Sequence, residues 1–191
     1  MTKIKYVLAL AATLALGACY PPITSHPVGT TAGLKPDLVL TGTWKGTNSD
    51  GKPFYMHFLQ QSDATLAVVI VESGPKAEDW NVVTATTATL GANHYMNAQL
   101  LWTNGKPENA PAGTVLVLYR LDARGALTFS LMDENAVKAA IAAGKIKGTV
   151  EQGAMGDATI TAEVKWLDAY FSTPGATKLF ANPLFTVHKV D

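Results

Sequence analysis

The chain has 191 residues, in which 15 lysines and arginines balance 15 aspartates and glutamates, 48% of side chains are hydrophobic and one is a cysteine. That length suits one domain around one core; the missing charge excess excludes attraction to nucleic acid, and a lone cysteine excludes an internal disulfide. Arg120 and Arg124 are the only arginines, so an arginine cluster for phosphates or anionic glycans is excluded too.

Residues 1–5 carry Lys3 and Lys5, residues 6–16 are almost entirely apolar, and the small pair Gly17-Ala18 precedes Cys19. This is the order of an export signal. Its apolar run, at about 11 residues, is too short to span a hydrocarbon core, which takes about 20. Leu16-Gly17-Ala18-Cys19 resembles the lipobox of bacterial lipoproteins. The resemblance implies that residues 1–18 are a signal peptide, that cleavage follows Ala18, and that Cys19 takes a diacylglycerol and often a further acyl chain. The membrane then becomes a partner through the lipid on Cys19, because two or more chains at about 0.8 kcal/mol per buried methylene anchor stably. Tyr20 rather than Asp follows the cysteine, which in a two-membrane envelope favours the outer membrane, with the body facing the periplasm. Loss of Lys3 and Lys5 leaves 13 cationic side chains against 15 acidic ones.

Residues 19–37 hold four of the ten prolines and little apolar periodicity; they read as the lipidated N-terminus and a flexible tether, with His26 solvated. From Leu38 to Asp191 the pattern becomes short apolar segments of period two between turn residues, which predicts a mainly β, antiparallel sandwich or barrel in one domain. Val39–Thr47 is the first segment. Phe54, Met56 and Phe58 alternate with Tyr55, His57 and Gln60, and the β-branched stretch from Thr65 to Val71 predicts a strand covered on both faces. A threonine-rich strand from Trp80 to Leu90 follows. In residues 92–102 the face with His94, Met96, Ala98, Leu100 and Trp102 is expected inside. Asp122-Ala123-Arg124-Gly125 predicts a hairpin joining residues 114–121 to 126–132.

Two short helices interrupt the strands. Asp133 is placed to cap the first, with Val137, Ala140 and Ile141 on one stripe and Gly144 ending it. The second begins near Thr161–Glu163 and turns Val164, Leu167 and Phe171 inward before Pro174-Gly175. A hairpin lies between the helices over residues 148–162, and a terminal strand runs from Leu184 to Val190.

About eight or nine strands with two short helices, and Gly42-Thr43-Trp44 at the start of the first, resemble a lipocalin-like (calycin) barrel. The resemblance implies that Gly42 and Trp44 form a structural motif in which the tryptophan plugs one end. The chain departs from that pattern in having no Thr-Asp-Tyr loop motif and no arginine near the last strand to stack on the tryptophan. Ligand-binding residues are not carried over.

No G-x-S-x-G elbow, H-E-x-x-H pair, P-loop or G-x-G-x-x-G occurs in the sequence, so no catalytic residue, metal site or cofactor is expected. His57, His94 and His188 lack metal-ligand spacing, and Asp133-Glu134 reads as a helix N-terminus. Three readings stay open, of which one is an enzyme without a recognised motif and two are binding functions. The barrel binds a small apolar or amphipathic molecule, or a filled barrel serves as a protein interaction module, an envelope assembly factor or an inhibitor of a periplasmic enzyme. What separates them is whether the inward set, Phe54, Met56, Phe58, Met96, Leu100, Trp102, Leu127 and Phe129, leaves a cavity.

Overall fold

The computed structural model describes residues 21–73, 78–109, 112–151, 158–181 and 183–190; residues 1–20, expected to hold the signal peptide and the lipidated Cys19, lie outside that range. The described chain opens with β1 (Ile23–Thr24) and a 3-10 turn at Leu38–Leu40. There follow β2 (Gly42–Thr47), β3 (Pro53–Gln60), β4 (Leu66–Ser73), β5 (Glu78–Leu90), β6 (Asn93–Thr103), β7 (Lys106–Pro107), β8 (Thr114–Leu121) and β9 (Ala126–Leu131). Helix α1 (Glu134–Ala142), β10 (Gly148–Val150), β11 (Ala158–Ile160), helix α2 (Val164–Phe171), a 3-10 turn (Pro174–Leu179) and β12 (Phe185–Lys189) complete it.

Eight of these strands form a closed antiparallel barrel in the order β2-β3-β4-β5-β6-β8-β9-β12. The ring closes because β12 pairs with β9 on one side and β2 on the other, setting Lys189 opposite Trp44 and Phe185 opposite Phe129. Alternation decides the faces: Phe54, Met56 and Phe58 point into the barrel, while Tyr55 and His57 stay half exposed. Gly46 makes room for this packing. A Cβ there would sit 2.5 Å from the Phe54 ring and 2.9 Å from Val187, so the first strand can pass over a large ring only as glycine.

A second core lies outside the barrel. Tyr95, Leu116 and Leu118 face outward from β6 and β8 and are buried under Val137 of α1, Leu167 and Phe171 of α2, and Val28 of the N-terminal stretch. The strands covered on both faces are therefore β6 and β8. The expectation of two covered faces for residues 65–71 is corrected: Ala67, Val69 and Val71 are half exposed, since no helix or strap lies over β4 among the described residues.

Two further expectations are corrected. Residues 21–37 are not a free tether: Pro21 to Thr24 and Val28 are buried, β1 pairs with β8 and runs parallel to β11, and Lys35 bridges to Thr87. The prolines there break periodicity but do not prevent docking of single apolar residues. Trp102 is not inside but 43% exposed. Val82 lies opposite Trp102 and Val83 opposite Leu100, so Leu101 is an extra residue, and this bulge sets Trp102 on the outward face.

The helix signals hold. Asp133 accepts a hydrogen bond from the Ala136 N–H at 2.8 Å, and Val137 and Ala140 are buried. Leu167 and Phe171 turn inward on α2. Both helices sit between β9 and β12, so they are an insertion packed on the barrel's outer wall.

Candidate functional site

The barrel interior comes first, because its contents decide what it can hold. Eight strands leave a lumen that side chains can just fill. Here aromatic rings meet across it: Phe58 stacks on Phe129 at 6.3 Å between centroids, and Phe185 lies 5.2 Å from both Phe129 and Phe54. Tyr119 adds a fourth strand's ring, 6.5 Å from Phe129. A ligand-sized lumen would leave its walls in contact with open space. Instead Trp44, Phe54, Met56 and Tyr119 are each 2% exposed, and Phe58 and Leu127 not at all.

One end of the barrel is closed by residues on either side of Gly42. Leu40 is fully buried, and its carbonyl oxygen accepts the Trp44 indole N–H at 2.7 Å. The Lys189 ammonium lies 5.6 Å from the Trp44 ring centre, a cation–π contact. Gly42 has φ 111°, a backbone region closed to other residues, and a Cβ would also crowd the Lys189 stem at 3.2 Å. Asp37 fixes the turn before it: one carboxylate oxygen accepts from the Val39 N–H and the other from the Tyr119 hydroxyl at 2.7 Å. Burial, and then Asp37, raise the Tyr119 pKa above the usual phenol range, so this hydroxyl stays a donor.

At the other end two polar side chains face inward. Asn81 is 2% exposed and accepts from the Thr103 hydroxyl at 2.9 Å. Glu72 is 9% exposed; burial first, and Asp79 second, push its carboxyl above the usual range.

The outer wall is divided in two. Over β6 and β8 the strap of residues 21–40 is pinned by polar groups. The Asn97 side chain bonds both the N–H and the carbonyl of Val28, at 2.7 and 2.9 Å. Asp168 of α2, 5% exposed, accepts from the Gly29 N–H at 2.6 Å, the Thr31 N–H at 2.9 Å and the Thr31 hydroxyl. The Tyr95 hydroxyl donates to the Phe171 carbonyl at 3.0 Å, and burial pushes its pKa up to about 12.

Over β12, β2 and β3 the wall is bare. Thr43, Lys45, Thr47, Thr186 and His188 point out, the Lys45 ammonium lies 5.7 Å from the Tyr55 ring centre, and the Thr43 hydroxyl meets His57 Nδ1 at 2.9 Å. A surface groove of about 650 Å³ follows the β2–β12 seam, lined by Lys45, Thr47, Thr186, His188, Lys189 and Val190.

No known family, curated protein or solved structure matches the chain. The geometry therefore carries the functional argument alone. The structure brings Gly42 and Trp44 together at the barrel end; Cys19 lies outside the described residues. His94 shares a groove of about 400 Å³ with Lys35 and Asp37, and its Nδ1 meets the Thr89 hydroxyl at 3.1 Å. His57 and His188 lie on the bare wall, and no group of three or more potential metal ligands occurs among the described residues.

Sequence reading missed Asn97, Asp168 and Thr87, which hold the strap, and Lys189, which covers Trp44. Asn97 was the readable signal, since it stands in a strand whose neighbours are mostly apolar. Lys189 had none, because its meeting with Trp44 depends on the barrel closing.

Proposed function

We propose that the protein is a bacterial envelope lipoprotein, held to a membrane by lipid on Cys19, whose lipocalin-like barrel works through its outer surface as a protein interaction module. The observation that carries this reading is the packed lumen: aromatic side chains from β3, β8, β9 and β12 occupy the space a carried molecule would need. The lipocalin likeness is supported by the plugged end, where the last strand supplies a cation over Trp44 as lysine rather than arginine. Anchoring rests on Leu16-Gly17-Ala18-Cys19, and in a two-membrane envelope the body would face the periplasm from the outer membrane. Fixed side chains on a rigid barrel suit recognition of a partner without chemistry of the module's own.

Photo-crosslinking in cells tests both parts of the proposal. With a photoreactive residue at Thr186 on the bare wall, the lipidated protein is expected to give discrete higher-mass adducts, and Cys19→Ala is expected to leave the membrane fraction and lose them. Membrane retention of Cys19→Ala under high salt would overturn the anchor. Absence of adducts from every exposed position tested would overturn the interaction reading.

A further inference from the structure

We infer that the groove along β2 and β12 is a docking site for an extended acidic peptide segment of another envelope protein, held by Lys45 and His188. This rests on the interaction reading above and names the partner's chemistry.

Charge distribution is the first observation. The five adjacent strands β8, β9, β12, β2 and β3 contain Lys45, His57, Arg120, His188 and Lys189 and no aspartate or glutamate. Acids stand within three residues of these strands in the chain at Asp50, Asp63, Asp122, Asp133, Glu134 and Asp191. Asp122 lies near enough to His188 to have its carboxyl lowered by it, after the larger effects of the Ala126 and Arg124 N–H groups. Among the described residues the one ion pair is Lys138 with Glu134 on α1. Lys45 and Lys189 lie instead over the rings of Tyr55 and Trp44. A ring face accepts no more than part of an ammonium, so both keep N–H donors for a carboxylate.

Shape is the second observation. The groove is lined from outward positions two residues apart, Lys45 and Thr47 on β2, and Thr186 and His188 on β12 with Val190 just beyond its end. In strands such positions repeat every ~7 Å. An extended peptide presents same-side carboxylates at that same spacing, and the Thr47 and Thr186 hydroxyls can bond its main chain.

Net charge separates this occupant from an anionic bilayer. With Lys45 assigned to the wall, the chain after residue 18 keeps 12 cationic side chains against 15 acidic ones. A planar anionic surface meets that excess as well as the wall. A single extended strand meets only the groove, since charges beyond about 8–10 Å are screened at physiological salt.

The test uses full-length lipidated protein in neutral-lipid nanodiscs and a fluorescein-labelled peptide of alternating Glu and Thr. Anisotropy is expected to give saturable binding that falls at least tenfold in Lys45→Glu/His188→Glu and less than twofold in Lys178→Glu, which lies on the covered side. The matching Lys-Thr peptide is expected not to bind. Because Lys45 and His188 are exposed, the double variant should melt at the wild-type temperature; Lys45→Gln/His188→Gln serves if the acidic pair does not fold. Equal loss in Lys178→Glu, no binding of the acidic peptide, or tighter binding to phosphatidylglycerol vesicles than to the peptide would each overturn the groove assignment. If crosslinked partners persist in the double variant, the interaction reading stands and this groove is not its site.

Discussion

The barrel has two outer walls built from the same kind of strand, and they end in opposite states. Outward residues on β6 and β8 are Tyr95, Asn97, Leu116 and Leu118, and they lie beneath two helices and the N-terminal strap. Outward residues on β2, β3 and β12 are Thr43, Lys45, Tyr55, His57, Thr186 and His188, with nothing described over them. Inside, the two walls contribute alike to one packed core. The difference shows that a strand's outward set, not its inward set, determines where the rest of the chain docks and where a partner can reach. An apolar outward set recruits the chain's own helices, and a polar one stays free.

Large effects are expected from the covered side and the shared core. Phe171→Ala and Trp44→Ala each remove a buried aromatic, and equilibrium unfolding should register a loss of about 3–5 kcal/mol for each. A midpoint near wild type for Phe171→Ala would mean that the helices rest on the wall without stabilising it. Asp168→Ala is next. It strips the hydrogen bonds from Gly29 and Thr31, and loss of bonds to a charged group costs about 1.5–3 kcal/mol; amide exchange should rise around residues 28–31 before it rises in β8.

These expectations also mark what the sequence could tell. Period-two alternation located the inward faces of β3 and β9, and Asp133 and Gly144 located α1, because those signals are local. The strap was misread because its attachment uses Asn97, Thr87 and Asp168, residues far off in the chain whose polarity looks like exposure. Trp102 was misplaced because alternation assumes an unbroken ladder, and one inserted residue at Leu101 reverses the face. The groove was not legible either. Lys45 and His188 are 143 positions apart and become directly opposed only when β12 closes on β2.

A smaller effect, dependent on pH, is expected at Glu72. Its pKa is raised in the folded state, so its contribution to stability is full below the ordinary glutamate range and is lost as pH rises through the raised value. Glu72→Gln should therefore raise the melting temperature near pH 7 and leave it almost unchanged near pH 4. An equal shift at both values would mean that the carboxylate is not disfavoured where it sits. The smallest changes belong to exposed side chains: Lys45→Gln on the bare wall, and Trp102→Ala beyond the bulge of β6, should each stay within about 0.5–1 kcal/mol of wild type. A larger loss at Lys45 would mean that the wall is part of the fold's support rather than a free surface.

The central claim is that the lumen is occupied by the protein's own side chains, which leaves function to the exterior. Native mass spectrometry of the full-length protein, purified without organic extraction, tests this most directly. The expected mass is that of the covalent polypeptide, with whatever groups it carries, and no small molecule retained at one per chain. A noncovalent amphiphile bound at that ratio, and lost from Phe58→Trp, would contradict it.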